Sequence, residues 1–242
     1  MFWKDAPRLG SLSLASKVAI SLFLVLAGIG YIFGFLNIVV TYQMTDGESG
    51  LSVKDVELVY YGSREGTALE GSIDGSMRSY FSSDSNYDAT KEWIQQGADP
   101  DTYAPIQAIF DNDCVACHNS AGYAAADVVL EQFSDLEPLL KQDTGKSVNR
   151  LISLSHTHLL STLVVVFIMM FIFSFSSFPD WLKFVGYVLP MFAIALDIGS
   201  WWLAKVAPGF AVLVIIGGAA LGTSFAALTV LGLWDLWFGK KE

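Results

Sequence analysis

The residues best suited to chemistry in this sequence are Cys114, Cys117 and His118, which stand together as Cys-Val-Ala-Cys-His. On a helical backbone the two thiols lie about one turn apart, and the histidine follows directly. Thiols at this spacing can add to the two vinyl groups of a haem, and the adjacent imidazole can bind its iron. The motif therefore predicts one covalently attached haem, with His118 as the proximal iron ligand.

On these three residues the chain resembles the c-type cytochromes. The resemblance implies a membrane-anchored monohaem cytochrome whose cofactor is haem c, bound through thioethers at Cys114 and Cys117. It also implies that the protein transfers electrons, rather than catalysing a reaction on a substrate.

The same cysteine pair has three other interpretations: a disulfide, a redox-active dithiol, or half of a zinc site. A zinc site needs two more ligands, but the sequence has no other cysteine, and its other two histidines lie about 40 residues away. A thioredoxin-like dithiol needs a strand-to-helix context, and residues 109–113 give no clear strand signal. Haem attachment is the interpretation that the pattern favours.

The sixth position of the haem iron has three candidate occupants. Met77 is the methionine that lies in the polar middle of the sequence, and Gly75 shortly before it would let the backbone approach the haem. His156 or His158 is the second candidate, and an open position is the third. An open position would suit a haem-based sensor or ligand-binding protein. Methionine raises the potential of haem iron and suits electron transfer, so we predict Met77 as the distal ligand.

Three more titratable residues lie in or beside apolar stretches: His156, His158 and Asp197. A carboxylate within an apolar span marks a proton or substrate pathway, or a polar partner. His158 and Asp197 could accept the protons of a quinol, so a quinol-oxidising module with a bound quinone is a second functional hypothesis. The alternative is structural, with both histidines bonded to nearby backbone. On one continuous helix the two imidazoles would point in nearly opposite directions and could not share a metal.

Four apolar stretches position these residues. A membrane-spanning helix needs roughly 20 mostly apolar residues, and the stretches run over 18–45, 159–179, 184–204 and 206–234. None alternates as a strand would, so all four are predicted to be helices. The apolar run of the first stretch is too long for a cleaved signal peptide, and we expect it to remain as a signal anchor.

The basic residues predict how these spans are oriented. They cluster at three places that fall on one side of a four-span protein: Lys4, Arg8 and Lys17; Lys183; and Lys240 and Lys241. The positive-inside rule makes that side cytoplasmic, so both termini are expected in the cytoplasm. Because c-type haem is attached outside the cytoplasm in bacteria, we expect the inner membrane, with the haem domain in the periplasm.

The composition separates one acidic block from the rest of the chain. Residues 46–155 hold 19 acidic and 7 basic side chains, a net charge of −12. This charge disfavours nucleic acid as a partner and suits a basic soluble redox protein. Over all 242 residues 53% are apolar and only 16% charged, against about 25% charged in a typical soluble domain. This composition excludes an ordinary soluble enzyme.

The predicted fold is an all-α membrane protein with four transmembrane helices and a mostly helical extracytoplasmic c-type haem domain. Its parts are a signal-anchor helix over 1–45, the haem domain over 46–155, and a three-helix membrane domain with a short cytoplasmic tail over 156–242. One helix would suffice as an anchor, so the other three indicate either contacts with further membrane subunits of a respiratory or photosynthetic complex or a quinone pocket.

Local patterns add detail to this fold. Ser52 with Asp55, and Ser134 with Glu137, are spaced as capping boxes that begin helices. The glycine- and serine-rich stretch 62–76 is predicted to be a loop. Two glycine pairs, Gly30 with Gly34 and Gly218 with Gly222, predict close helix packing within the bundle or against partner subunits.

Overall fold

The structure is a computed structural model that describes residues 7–121 and 128–240. Across these ranges the regular secondary structure is helical, apart from an isolated bridge between Thr67 and Gln142. The chain divides into two compact units. We call Tyr42–Ser147 the acidic unit and the remainder of the described chain the membrane unit.

The α-helices of the described chain are α1 (Leu14–Tyr42), α2 (Val53–Tyr60), α3 (Ala68–Asp74), α4 (Asp84–Gln95), α5 (Ala104–Asp113), α6 (Phe133–Leu136), α7 (Val148–Ser174), α8 (Asp180–Val206) and α9 (Ala211–Phe238). Four of them, α1, α7, α8 and α9, are long and apolar enough to cross a membrane. The prediction of an all-α, multi-pass membrane protein is thereby confirmed.

The boundary between the two units lies earlier than the sequence suggested. Helix α7 begins at Val148, so residues 148–155 belong to the membrane unit, and the units meet at 147/148 rather than 155/156. A helix adds residues at little cost once it is nucleated, so α7 extends through the polar residues that precede its apolar run.

The apolar core of the membrane unit draws on all four long helices. It contains Leu24, Val166, Met169, Phe173, Ala193, Ile194, Leu221, Phe225 and Leu228. These residues come from the later half of α7, the middles of α8 and α9 and the first half of α1. The core therefore lies toward the link 175–179 that joins α7 to α8. We call this end of the unit the link end and the other end the open end.

The link end is closed by hydrogen bonds between distant segments. The Leu9 N–H donates to the Phe175 carbonyl at 3.0 Å, and the Arg8 guanidinium donates to the Ser176 carbonyl at 3.0 Å. Ser177 donates to Asp235 near the end of α9. The N-terminal segment, the link and the end of α9 thus share one end of the bundle, as the even number of spans requires.

The acidic unit is built from short capped helices around an aromatic core. The predicted capping box at Ser52 is confirmed, because Ser52 Oγ accepts from the Asp55 N–H and the Asp55 carboxylate accepts from the Ser52 N–H. The core contains Leu69, Ile73, Trp93, Ile94, Ala98, Tyr103, Ile106, Phe110, Leu130 and Leu136.

Two local predictions in this unit are wrong. The stretch 62–76 contains α3, whose Leu69 and Ile73 are spaced one turn apart and both enter the core. Apolar contacts made by this helix outweigh the loop preference of the surrounding glycines. The second predicted capping box lies two residues earlier, between Gln132 and Asp135.

Candidate functional site

The cysteine motif lies on the turns that follow α5. Cys114 ends that helix, with its N–H donating to the Phe110 carbonyl at 2.8 Å, and the His118 N–H donates to the Cys114 carbonyl at 3.0 Å. The motif therefore lies on hydrogen-bonded turns that begin where α5 ends at Asp113. Phe110 is only 1% exposed, so the last turn of α5 is anchored in the core and sets the position of both thiols.

The two thiols have different surroundings. Cys114 is half-buried against the core and Cys117 is exposed, and both are free. Burial, together with the neighbouring Asp113 and Cys117, raises the pKa of the Cys114 thiol to about 11. Redox-active Cys-x-x-Cys pairs have a lowered thiol pKa instead. The environment of Cys114 thus argues against the dithiol interpretation.

The arrangement also lacks the ligands of a protein-only zinc site. Within 7–121 and 128–240, no group of three or more histidine, cysteine, aspartate or glutamate side chains is placed to hold a metal ion. A structural zinc ion takes four such ligands. The half-zinc-site interpretation of Cys114 and Cys117 therefore gains no support from the described residues.

A hydrogen bond to the backbone fixes the orientation of the His118 ring. Its Nδ1 lies 3.0 Å from the carbonyl oxygen of Val128. A carbonyl only accepts, so Nδ1 carries a proton and donates it, and the lone pair of the neutral ring is on Nε2. A metal-binding histidine is typically oriented by this kind of bond. The Leu130 N–H, donating to the His118 carbonyl at 3.0 Å, holds the backbone in place.

Asp113 fastens the motif to the start of α4. Its carboxylate accepts hydrogen bonds from the N–H and the hydroxyl of Ser82, both at 3.2 Å, and from the Asn86 side chain at 3.0 Å. Partial burial alone would raise the pKa of Asp113, but the bonds from Asn86 and Ser82 outweigh it and hold the pKa below its usual value. The carboxylate is therefore ionised at neutral pH and braces the end of α5.

Tyr103 supplies a buried hydroxyl that lacks a partner. The residue is 5% exposed, and its hydroxyl has no hydrogen-bond partner among the described residues. Burial, with the charges of Asp111, Asp135 and Cys114 nearby, raises the pKa of Tyr103 to about 12. An unpaired buried hydroxyl costs about 1–3 kcal/mol. The propionates of a haem are acceptors that such a donor can satisfy, so this residue fits the predicted cofactor.

Sequence analysis did not identify Tyr103 as a functional residue. It lies just before α5 and packs against Trp93, Phe110 and Phe133. In sequence it is therefore indistinguishable from an ordinary core aromatic. The position of its hydroxyl depends on the tertiary packing.

The predicted distal ligand, Met77, lies elsewhere in the acidic unit. It is half-buried, precedes the short 3-10 helix Arg78–Tyr80, and donates its N–H to the Ser72 carbonyl at 3.0 Å. Cys114 packs against the aromatic core, whereas Met77 is not part of that cluster of described residues. Its role stays a prediction.

The structure brings His158 and Asp197 to one side of the membrane unit, with an indole between them. The His158 ring meets the Trp201 ring edge to face, with centroids 5.4 Å apart, and Trp201 Nε1 donates to the Asp197 carboxylate at 3.3 Å. His156 and His158 lie on the uninterrupted helix α7. Their side chains therefore diverge, as the spacing predicts.

Helices α1 and α9 complete the surroundings of Asp197. A Cβ added to Gly217 would lie 2.7 Å from the Asp197 Cα, so only glycine allows α8 and α9 to approach so closely. Tyr31 of α1 donates its hydroxyl to the Gly218 carbonyl at 2.9 Å and stacks on Phe225. The glycine that the close helix approach requires is thus Gly217, next to the predicted pair. Within that pair, a Cβ added to Gly222 would lie 2.9 Å from the Tyr31 hydroxyl, whereas one added to Gly218 would make only an ordinary contact.

The other glycine pair faces open space. A Cβ added to Gly30 or Gly34 would meet no described atom within 4 Å. The packing that this pair was predicted to make is thus not satisfied within the described chain, and a contact with another subunit stays a prediction.

The sequence analysis also missed Asp235. This residue is 1% exposed and accepts hydrogen bonds from the Ser177 N–H, at 2.9 Å, and from the Ser177 hydroxyl. In sequence it follows Trp234, the last residue of the fourth uncharged stretch, and so marks only the end of that stretch. The sequence signal for this pairing was an acidic residue at the end of α9, on the same side of the membrane as Ser176 and Ser177 in the link 175–179.

Comparison with known proteins supports the membrane assignment and adds no function. A family model described as a transmembrane helical domain matches residues 137–242. No curated protein and no solved structure matches the chain. The matched region contains α7, α8 and α9 and excludes the cysteine motif.

Proposed function

We propose that this protein is a membrane-anchored monohaem cytochrome c that transfers electrons within a respiratory or photosynthetic complex. The observation that carries the proposal is the His118 ring. The Val128 carbonyl accepts its Nδ1–H, which leaves Nε2 free to bind iron beside the two thiols on the turns that follow α5. Cys114 and Cys117 would hold haem c through thioethers. When bound, the haem iron supplies one-electron redox chemistry.

The acidic unit's other residues position this site. Phe110 anchors the end of α5, Asp113 ties it to α4, and the Tyr103 hydroxyl offers a donor to a propionate. Met77 is the distal ligand that we propose. His156, His158 and an open position are the alternatives.

We further propose that the protein lies in a bacterial inner membrane. Basic residues concentrate at the link end of the membrane unit, where Arg8, Lys17 and Lys183 all lie. We assign that end to the cytoplasm by the positive-inside rule. Both termini would then be cytoplasmic, and the acidic unit would be periplasmic.

Two features support the proposed partners. Carboxylates line one cleft of the acidic unit, namely Asp46, Glu65, Glu70, Asp74 and Asp143. A cleft of one charge sign attracts partners of the opposite charge, which suits a basic soluble redox protein. The uncovered glycine pair on α1 suits close packing against another membrane subunit.

Covalent attachment is the direct test of this function. We expect the full chain, produced in bacteria able to mature cytochromes c, to keep its haem after denaturation and acid–acetone extraction. Changing Cys114 and Cys117 to serine should abolish the haem-stained band, and His156→Ala should leave it unchanged. Loss of all haem from the unaltered chain on extraction would overturn the proposal.

The spectrum of the purified protein tests the distal ligand. If Met77 binds the iron, Met77→Ala should remove the absorption band that is characteristic of methionine ligation and open the reduced haem to carbon monoxide. His156→Ala and His158→Ala serve as matched comparisons, because either would cause the change instead if that histidine were the ligand. Ready carbon monoxide binding by the unaltered protein would favour the sensor hypothesis.

A further inference from the structure

Polar side chains gather toward the open end of the membrane unit. Leu151, Trp201, Ala204 and Ala211 are buried at this end, whereas Ile32 of α1 is more than half exposed. On α7, residues 156–160 are exposed. Toward this end of the bundle lie side chains from three helices, namely Tyr31, His158, Asp197 and Trp201.

Asp197 is poorly satisfied for a carboxylate in an apolar span. Among the described residues, the hydrogen bond to its carboxylate is the one from Trp201 Nε1, at a long 3.3 Å. Beside it, Gly218 has no side chain, and a Cβ there would still be 3.8 Å from Asp197 Oδ1. Intramembrane carboxylates are costly unless paired. Asp197 therefore has capacity to accept a further hydrogen bond.

His158 presents a second acceptor at the same place. Its Nδ1 lies 2.9 Å from the carbonyl of Leu154, so Nδ1 is the donor and Nε2 of the neutral ring is an acceptor. The side chain is exposed on α7, and its ring lies against Trp201. Two acceptors, His158 Nε2 and the Asp197 carboxylate, thus lie on either side of the buried Trp201 indole.

We propose that His158, Trp201 and Asp197 bind the headgroup of a lipid-soluble quinol that enters from the bilayer. The ligand must carry hydrogen-bond donors, be flat and apolar, and reach the site through lipid. A quinol has a hydroxyl at each end of its ring, whereas the oxidised quinone carries only acceptors there. The site lies wholly in the membrane unit and goes beyond the proposed electron transfer, because binding needs no haem.

Equilibrium binding to the full chain in phosphatidylcholine nanodiscs tests this site. The probes are radiolabelled decylubiquinol, kept reduced without oxygen, and the same molecule oxidised. We expect saturable binding, at least about tenfold tighter for the quinol than for the quinone, since a lost hydrogen bond to a charged group costs about 1.5 kcal/mol or more. This comparison uses the unaltered protein and so does not depend on any variant folding.

Variants then locate the site. Asp197→Asn removes the charge, and His158→Phe removes the acceptor but keeps a ring against Trp201. Each should weaken quinol binding about tenfold. His156→Phe, on the same helix but pointing away, is the matched control and should bind as the unaltered chain does.

Each other outcome would overturn the proposal: no saturable binding, equal affinity for the two redox forms, equal loss in the His156→Phe control, or displacement of the quinol by phosphatidylethanolamine. The chain with both Cys114 and Cys117 changed to serine should bind quinol normally. Failure of haem attachment and failure of quinol binding are therefore separate results.

Discussion

The two units use acidic side chains in different ways. In the acidic unit, the Asp113 carboxylate accepts hydrogen bonds from Ser82, Asn86 and Asn112 and braces the cysteine motif. Asp55 is fully buried yet satisfied by backbone N–H groups. In the membrane unit, Asp235 at the link end is equally well paired with Ser177, but Asp197 toward the open end has one long bond. A carboxylate in an apolar environment is expensive, so the one that is left underpaired is the candidate for a ligand.

The two units also differ in where their apolar cores lie relative to the candidate sites. The acidic unit is held by a small aromatic core, and its motif depends directly on that core through Phe110. The membrane unit has its apolar core cluster toward the middle and the link end, and the proposed ligand site lies toward the open end. Stability and the proposed ligand site are therefore separated within the membrane unit, whereas in the acidic unit they share the same residues.

The largest effect should come from Phe110→Ala. Removing this fully buried ring leaves a cavity under the motif, at a cost of about 3–5 kcal/mol, which approaches the whole stability of a small unit. Unfolding of the acidic unit in denaturant, followed by tryptophan fluorescence, measures the loss. Val53→Ala, at a position that is 45% exposed, is the control and should change stability little. Similar losses in both variants would contradict the dependence of the motif on the core.

A pair of variants should separate the two membrane carboxylates. Asp235→Ala leaves the partly buried Ser177 N–H without its acceptor and should destabilise the bundle by about 1–3 kcal/mol. Asp197→Asn, at the underpaired site, should change stability by much less. Thermal aggregation of the two proteins in the same detergent gives the ranking, and the reverse order would break the distinction between a structural and a ligand-binding carboxylate.

Tyr103→Phe should distinguish the haem-loaded protein from the haem-free one. Without haem the hydroxyl has no described partner, so its removal should leave stability unchanged or raise it by up to about 1 kcal/mol. With haem attached, loss of a donor to a propionate should lower stability and shift the reduction potential. Denaturation of the Tyr103→Phe variant, with and without the serine changes at Cys114 and Cys117, measures its effect on stability without and with haem. An equal change in stability in the two cases would remove Tyr103 from the haem site.

The smallest effect should be the pH dependence contributed by Asp113. Its pKa in the folded chain is below the value of an unfolded aspartate, about 3.9. The stability that its ionised form contributes is therefore complete above that value and is lost as the pH falls through the lowered pKa. Acid titration of the acidic unit's fluorescence should show a shallower transition in Asp113→Asn than in the unaltered chain. An identical transition would mean that the brace contributes nothing to stability.

Much of the architecture follows from the sequence alone. Uninterrupted apolar runs of about 20 residues or more can be satisfied only as membrane-spanning helices, so the four spans and the all-α class were determined without tertiary information. The Ser52–Asp55 capping box was equally local, because both partners lie within one turn. The cysteine motif is local too, since its thiols and histidine are positioned by a single turn of backbone.

The parts that sequence analysis missed all depend on contacts between distant residues. The bond of His118 to Val128, the brace of Asp113 on Ser82 and the pairing of Asp235 with Ser177 join segments separated by 10 to 58 residues. Helix α3 forms within a predicted loop because the core covers Leu69 and Ile73. Local sequence patterns determine where the backbone can form helices and turns. Only tertiary packing decides which buried polar groups find partners, and hence which are left free to bind a ligand.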